Sequence, residues 1–320
     1  MARRKQLEAL FLPLLLLAAV PAARADEGGV SFWLPGQFGS LAAVPGAPGW
    51  SLPMVYIHES VSGGGGKEFP RGGRIVAGLD SRVDLVLLVP SYTFPQPVAG
   101  GQAALAMGIG GGHMRTSIDA TLTGPLGNST SGSQTDTLDG AADLYPQGSL
   151  KWNNGVHNTM AYVMGGVPVG SYAKGRLSNI GTNHWSLDGG GGYTYLDPKA
   201  GREFSAVAGL TYNFENPDTN YRNGIDGHVD WAASQFFTKT VHAGLVGYFY
   251  QQLSGDSGSG ATLGDFKSRV AAIGPQVGWF FDGGGKKYYA NAKAFWEFGE
   301  KNRAAGWNLW LSLVVPLSSK

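Results

Sequence analysis

The chain has 320 residues, a formal net charge of +1, no cysteine, 51 glycines, 12% aromatic residues and only 15% charged residues. A soluble domain usually carries about 25% charged residues, so this composition argues against an ordinary soluble protein. The near-zero charge gives no indication of a nucleic-acid partner. The lack of cysteine excludes disulfides, thiol chemistry and a lipoprotein anchor.

The first 25 residues have the three parts of a secretory signal peptide. Residues 3–5 are basic, an apolar run extends from Leu7 to Val20, and Ala23-Arg24-Ala25 provides small residues at a cleavage site. This order predicts export of the chain with cleavage after Ala25. The alternative is a membrane-anchoring helix, but the apolar run is too short to span a bilayer comfortably, since about 20 residues are needed.

A short apolar segment at residues 26–48 lies before the first predicted strand. Pro35 and Gly36 break any strand pattern there. Given the barrel predicted below, we expect this segment to form a small irregular or helical plug in the periplasmic half of the lumen. The alternative is a periplasmic tail. The aromatic candidates for plug contacts are Phe32, Trp33 and Phe38.

Residues 49–320 alternate apolar with small or polar residues, and this period of two predicts strands. Most of the predicted strands exceed ten residues, whereas soluble strands average five or six and a tilted transmembrane strand needs about 9–11. The predicted fold is therefore all-β, a transmembrane antiparallel β-barrel of about 12 strands. The predicted strands are Gly49–Glu59, Arg74–Phe94, Gln102–Ile118, Leu144–Asn153, Val156–Val169, His184–Leu196, Arg202–Phe214, Gly224–Phe237, Lys239–Gln252, Lys267–Phe281, Lys287–Phe298 and Gly306–Leu317.

The predicted connections alternate in length along the chain. Outer-membrane barrels have long extracellular loops and short periplasmic turns, so the alternation predicts the outer membrane of a Gram-negative cell, with its lipid and lipopolysaccharide as surroundings. An even strand count places both termini on the periplasmic side. The long polar connections are 60–73, 119–143, 170–183, 215–223, 253–266 and 299–305, and the tight turns are 154–155, 197–201, 238–239 and 282–285.

The alternation also assigns faces to individual strands. In the last strand Trp307, Leu309, Leu311, Leu313, Val315 and Leu317 share the face predicted to contact lipid. In the second strand Val83, Leu85, Leu87 and Val89 are predicted to face lipid. Because a charge on the lipid face costs about 2–4 kcal/mol at the midplane, the opposite faces are predicted to be lumenal. The candidates for lining or gating a lumenal path are Asp80, Arg82, Asp84, Asp188, Asp226, His228, Asp230, Lys293 and Glu297.

These charged residues have a second interpretation, which is a network that fills a narrow barrel and holds its strands together. The sequence leaves the two interpretations open. In the third strand Gly108, Gly110, Gly111 and Gly112 predict easy bending, and we expect a gap in the wall near them.

An outer-membrane enzyme is the main alternative to a channel. Such an enzyme needs a serine beside a histidine base and an orienting polar group. His184, Ser186 and Asp188 share one predicted face, and so do His228 and Ser234. Alternation alone produces such coincidences, so an enzyme is not favoured. The six histidines form no metal-ligand pattern, and no cofactor is predicted.

Four stretches in order, residues 31–39, 168–185, 212–224 and 255–261, resemble the MetA-pathway of phenol degradation family of outer-membrane proteins. The first begins Ser31-Phe32-Trp33-Leu34-Pro35-Gly36 and the third contains Asn213-Phe214-Glu215-Asn216-Pro217. The resemblance implies a barrel linked to the uptake of aromatic or other hydrophobic compounds, distantly similar to fatty-acid-type solute channels, with no catalytic residues to carry over. One departure is the C-terminus, which lacks the terminal aromatic residue that many outer-membrane barrels use for insertion.

The predicted function is passive uptake of small hydrophobic or aromatic compounds, associated with phenol or aromatic degradation. The alternatives are a lipid-modifying enzyme and a structural or adhesive surface barrel. A channel predicts a path through the lumen or a gap between strands, an enzyme predicts a Ser–His contact, and a structural protein predicts a lumen packed shut.

Overall fold

The structure is a computed structural model that describes residues 32–63, 68–71, 74–123, 129–262, 265 and 267–318. The predicted signal peptide and its cleavage site lie outside these residues. In the described ranges no helix is both long and apolar enough to cross a bilayer. The described strands are β1 Gly49–Ser62, β2 Glu68–Arg71, β3 Arg74–Ala77, β4 Asp80–Leu88, β5 Ser91–Thr93, β6 Gln102–Thr123, β7 Ser129–Ala141, β8 Tyr145–Asn154, β9 His157–Gly166, β10 Ser186–Asp197, β11 Arg202–Asn213, β12 Asp226–Phe236, β13 Val241–Gln252, β14 Arg269–Gly283, β15 Lys286–Lys301 and β16 Ala305–Pro316.

The strands form a closed antiparallel barrel, because the first strand pairs with the last. β1 contacts β4 on one edge and β16 on the other, and the strands between them pair in chain order. β5 continues the line of β4 along β6, and β8 continues the line of β7, so the wall has twelve positions. The predicted twelve-stranded antiparallel barrel is confirmed. β2 and β3 form a separate hairpin.

Two predicted segments differ from the structure in their extent. The predicted strand Arg74–Phe94 is divided among β3, β4 and β5. The predicted loop 119–143 is wrong, because β6 continues to Thr123 and pairs with β7 over most of that stretch. A polar segment rich in Gly, Ser and Thr resembles a loop in sequence. It can still form a hairpin, since a strand extending beyond the membrane does not need an apolar face.

The turn between β14 and β15 has the backbone conformation of a common two-residue hairpin turn. Between β14 and β15, Gly284 and Gly285 have φ values of 56° and 76°, and their flanking residues Gly283 and Lys286 are paired. A two-residue turn with positive φ at both central positions is the type I′ turn, which glycine adopts without strain. This connection is therefore as tight as the sequence predicted.

Three strands show the predicted alternation of faces. On β16 Trp307 and Leu311 are exposed while Asn308 and Trp310 are buried. On β12 every second residue from Asp226 to Ser234 is buried, and on β15 Trp296 and Phe298 are exposed while Lys293 is buried. The outward faces are therefore apolar and aromatic, as a lipid-facing surface requires.

Candidate functional site

The inward faces of β10, β12 and β15 carry six of the predicted charged residues in buried positions. These strands lie at different positions around the barrel wall, so their inward-facing polar side chains converge on the lumen. The burial of ionised groups is tolerated only where hydrogen bonds or opposite charges compensate it. The six residues are Asp188, Asp226, His228, Asp230, Lys293 and Glu297.

Residues 32–48, the described part of the N-terminal segment, lie inside the barrel. Their main-chain and side-chain atoms bond to side chains of β8, β10, β11, β12, β14 and β15. A segment this short reaches so many parts of a closed wall only from the lumen. It bends at Leu34-Pro35-Gly36-Gln37, where the Gln37 amide donates to the Leu34 carbonyl at 3.3 Å and Gly36 has a φ of 89°. Pro followed by positive-φ Gly is the pattern of a type II turn.

Asp230 and Lys293 hold this turn from two sides. The carboxylate of Asp230 accepts hydrogen bonds from the amides of Gly36 and Phe38, at 3.1 and 3.0 Å. The ammonium of Lys293 donates to the carbonyls of residues 36, 37 and 38, at 2.5, 3.2 and 3.3 Å. One acid and one base thus bind the backbone of three consecutive residues, and charge-assisted bonds of this kind are stronger than neutral ones.

A second anchor lies further along the segment and involves Glu203 and Thr194, which are not among the candidate residues predicted from the sequence. Glu203 accepts hydrogen bonds from the Ser40 hydroxyl at 2.6 Å and from the Leu41 amide at 2.9 Å. Thr194 accepts the Ala43 amide at 3.0 Å. Both side chains are buried on inward faces of their strands. Nothing in the sequence linked them to residues more than 150 positions away.

Trp33 lies against a buried histidine–aspartate pair. Its ring stacks on His228 with centroids 3.5 Å apart and planes at 16°. His228 Nε2 is 2.9 Å from Asp188 Oδ2, which also accepts the Thr211 hydroxyl at 2.6 Å. Phe38 packs on Tyr162 with centroids 5.3 Å apart. The predicted plug aromatics therefore contact the predicted lumenal residues, and they do so by packing.

The two remaining buried acids, Glu297 and Asp226, bind residues of the barrel wall. Glu297 accepts hydrogen bonds from the Tyr248 hydroxyl at 2.8 Å and the Gly306 amide at 2.9 Å, and it lies 3.5 Å from Arg303. Asp226 accepts the Asn213 amide group at 2.8 Å. These contacts join strands of the wall to one another, as the network interpretation of the lumenal charges expects.

The predicted lumenal position of Asp80, Arg82 and Asp84 is wrong. On β4 Leu87 is buried and Leu85 packs against the cluster that contains Trp33, so the apolar face of this strand points inward. The three charged residues lie on the outward face. Two physical reasons account for the inversion. The inward face meets an apolar part of the N-terminal segment, and the charges lie towards one end of the strand, beyond the exposed apolar residues Val86 and Leu88.

An apolar cavity of about 80 Å³ lies between the N-terminal segment and the wall. Its lining comes from the segment itself and from β4, β6, β8 and β9. Tyr145 and Gly108, which line it, form the last cross-strand pair of β6 and β8. The cavity is lined by Phe32, Leu34, Gln37, Leu87, Val89, Gly108, Tyr145, Gln147 and Met164.

Beyond the pair of Gly108 and Tyr145, the strand next to β6 is β7 instead of β8. β7 pairs with β6, and among the described strands it has no strand on its other edge. Part of this edge is covered by the connection 167–185. The Ser171 amide donates to the Ala141 carbonyl at 2.8 Å, and Asp136 accepts the amides of Leu177 and Ser178, both at 3.1 Å.

The predicted gap at the glycines of β6 is wrong, because the wall does not open there. β6 stays paired with β4 on one side and with β7 on the other through Gly111 and Gly112. A side chain at Gly110 or Gly112 would collide with the carbonyl oxygen of Val86 or Asp84. These glycines therefore allow close approach of two strands, and the unpaired edge belongs to the next strand, β7.

The serine–histidine candidates have other roles. His184 Nδ1 lies 2.9 Å from the Trp185 carbonyl. A carbonyl only accepts, so this nitrogen carries the proton and is not a base for Ser186, whose hydroxyl is 3.3 Å away and donates to Asn213. His228 bonds to Asp188, and Ser234 bonds to Ser40 and Gln276. Within the described ranges no group of three histidine or acidic side chains is placed to hold a metal ion.

The family described as "Putative MetA-pathway of phenol degradation" matches residues 65–313. The chain belongs to this family. No match was found among curated proteins. The barrel is similar to the crystal structure of an outer membrane channel from Pseudomonas putida F1, with a TM-score of 0.67, 15% identity, and coverage of 88% of this chain and 99% of that one. This likeness shows a shared fold.

Two further solved structures have lower scores. A FadL homologue from Pseudomonas aeruginosa has a TM-score of 0.43 at 9% identity, with coverage of 92% of this chain and 99% of that one. The translocator domain of the autotransporter NalP from Neisseria meningitidis has a TM-score of 0.43 at 12% identity, with coverage of 85% and 90%. Scores at this level do not support an argument about mechanism.

Proposed function

We propose that this protein is a passive channel of the Gram-negative outer membrane for small hydrophobic or aromatic compounds, associated with aromatic degradation. Export by the signal peptide, cleavage after Ala25 and insertion among lipid and lipopolysaccharide are parts of this proposal. It is supported by membership of the phenol degradation family and by the barrel shared with an outer membrane channel. An enzyme and a purely structural barrel remain the alternatives.

The observation that carries the proposal is the apolar cavity beside the unpaired edge of β7. Binding sites for small organic molecules are mostly apolar with a few polar groups, and the cavity has Gln37 and Gln147 among aliphatic and aromatic side chains. The charged residues of the interior are engaged with the N-terminal segment or with one another. This arrangement suits an apolar solute better than a water-filled path.

The proposed route enters among the extracellular loops, passes the cavity and leaves sideways along the edge of β7. The highly charged, hydrated lipopolysaccharide head groups dissolve hydrophobic compounds poorly, and a barrel that offers apolar contacts lowers this barrier. The N-terminal segment serves as a plug in this route, because it occupies the lumen with hydrogen-bonded backbone. The connection 167–185 serves as a cover of the exit.

The test joins the cover to β7 with a disulfide. The chain has no cysteine, so Gly140→Cys with Ser171→Cys offers one possible bond. A Cβ at position 140 would lie 2.5 Å from the Ser171 Cβ, and a small shift of the loop reaches the usual separation of about 3.8 Å. Uptake of labelled phenol or toluene is measured in cells with wild type, with the double variant and with no copy of the gene.

We expect the oxidised double variant to take up the solute several-fold more slowly than wild type, and dithiothreitol to restore the rate. Each single-cysteine variant is a matched control, and its uptake rate should be the same before and after dithiothreitol. Equal rates for the oxidised and reduced double variant would reject the sideways exit. Equal uptake with and without the gene would reject the transport function itself.

A further inference from the structure

Two arginines lie side by side on the outer surface of the barrel. Arg82 on β4 and Arg115 on β6 are direct cross-strand partners, so their side chains lie on the same face. Both residues are exposed. Like charges directly opposite each other destabilise an antiparallel pair. An anion bound between the two guanidinium groups would remove this repulsion.

Three carboxylates, those of Asp80, Asp84 and Asp139, lie on the same outward face, and among the described residues none of them forms an ion pair with either arginine. Asp84 accepts a hydrogen bond from the Tyr56 hydroxyl at 2.5 Å and lies 2.8 Å from His58 Nδ1. Asp139 is 2.7 Å from His113 Nδ1. Among the contacts made by the described residues, neither Arg82 nor Arg115 has a hydrogen bond or an ion pair, and Asp80 has none either.

The arginine pair belongs to a continuous row of cross-strand partners. The row begins with two tryptophans, and the two arginines follow with a hydroxyl residue on each side of the pair. Tryptophan is typical of the interfacial girdles of membrane barrels. The row consists of Trp296, Trp307, Ser60, Arg82, Arg115 and Thr137.

The row lies beyond the apolar band on the side of the barrel opposite the termini. Along β4 the exposed residues change from Leu88 and Val86 to charged residues, and β4 runs from the extracellular to the periplasmic end because β1 starts at the periplasmic end. On β6 the exposed residues Leu105 and Ile109 precede Arg115 in the same way. The arginines thus face the level where acyl chains give way to head groups.

We propose that Arg82 and Arg115 together bind a phosphate group of lipid A, the phosphorylated glycolipid of the outer leaflet. The planar guanidinium group forms paired hydrogen bonds with phosphate, and two adjacent groups present a cradle for one anion. The hydroxyls of Ser60 and Thr137 flank the pair in the same row. This proposal depends on an outer-membrane location and is independent of solute transport.

The experiment uses the full mature barrel in phosphatidylcholine nanodiscs. Native mass spectrometry measures binding of bis-phosphorylated lipid A, of its phosphate-free backbone, and of bis-phosphorylated lipid A in the presence of an equal concentration of inorganic phosphate. Wild type is compared with Arg82→Gln/Arg115→Gln and with Arg82→Lys/Arg115→Lys. The matched control is Arg202→Gln/Lys287→Gln, which removes two exposed charges at the periplasmic end.

We expect the glutamine pair to weaken lipid A binding by at least about tenfold, which corresponds to loss of one or two charge-assisted hydrogen bonds. The lysine pair should bind with intermediate affinity, and the periplasmic control should match wild type. Equal binding by wild type and the glutamine pair overturns the proposal. Equal binding of the phosphate-free backbone, or full displacement by inorganic phosphate at the lipid concentration, also overturns it. A gel shift of unheated samples confirms that each barrel is folded.

Discussion

At the scale of single residues, each of the six buried lumenal residues that the sequence predicted has a named partner. Asp230 and Lys293 bind opposite sides of one backbone turn, and Asp188 binds His228 beneath Trp33. Period-two alternation predicted that these side chains face inward. It could not predict their partners, because the hydrogen bond between Asp230 and Gly36 joins residues 194 positions apart.

The lipid face of β16 can be tested by one pair of substitutions. Leu311→Arg should lower the free energy of unfolding by about 2–4 kcal/mol, because it places a charge against hydrocarbon. Ser312→Asn should have a mild effect, since Ser312 pairs with Asn291 on the lumenal face. Urea unfolding in lipid vesicles measures both values. Similar losses for the two variants would show that the faces of this strand are wrongly assigned.

At the scale of elements, the N-terminal segment determines which face of β4 points into the barrel. The apolar face of β4 turns inward because it packs on the cluster around Trp33. Its charged face then points outward, which is acceptable only beyond the apolar band. An isolated strand gives no sign of this, because in sequence a strand with one apolar face fits either orientation.

The lumenal position of the N-terminal segment predicts a change in conductance. Deletion of Ser31–Val44 should raise single-channel conductance in planar bilayers, because the backbone that fills the lumen is removed. The double variant Asp230→Asn/Lys293→Met keeps the segment but removes its charged contacts, and it should show intermittent openings. Both charges are removed together, since a single buried charge without its partner is strongly destabilising.

A folded deletion variant with the conductance of wild type would show that the segment does not block the lumen. A control for general loosening is Thr238→Ala, which lies in a turn between β12 and β13 and should leave conductance unchanged.

At the scale of the whole molecule, an even strand count determines which ends share a side of the membrane. Epitope tags inserted within 126–134 or 255–260 should be reached by antibodies on intact cells. Tags at Asn154 or Gly283 should be reached only after the outer membrane is permeabilised, because they lie in the short turns. Surface labelling with the reverse pattern would mean that the barrel is inserted in the opposite orientation.

The sequence by itself determined the all-β class, the twelve wall positions and the faces of β12, β15 and β16. These properties are local, because alternation at period two and turn residues such as Gly284 and Gly285 act within one hairpin. The turn at Pro35 and Gly36 is local in the same sense, although its position inside the barrel is not.

Only the tertiary structure decided the inverted face of β4, the anchors Glu203 and Thr194, and the unpaired edge of β7. Each depends on which elements meet across the closed barrel. Closure brings together residues far apart in the chain, and the free energy of their packing and hydrogen bonding then selects between orientations that look equivalent in one strand. The paired arginines have the same origin, because the register between β4 and β6 places Arg82 opposite Arg115.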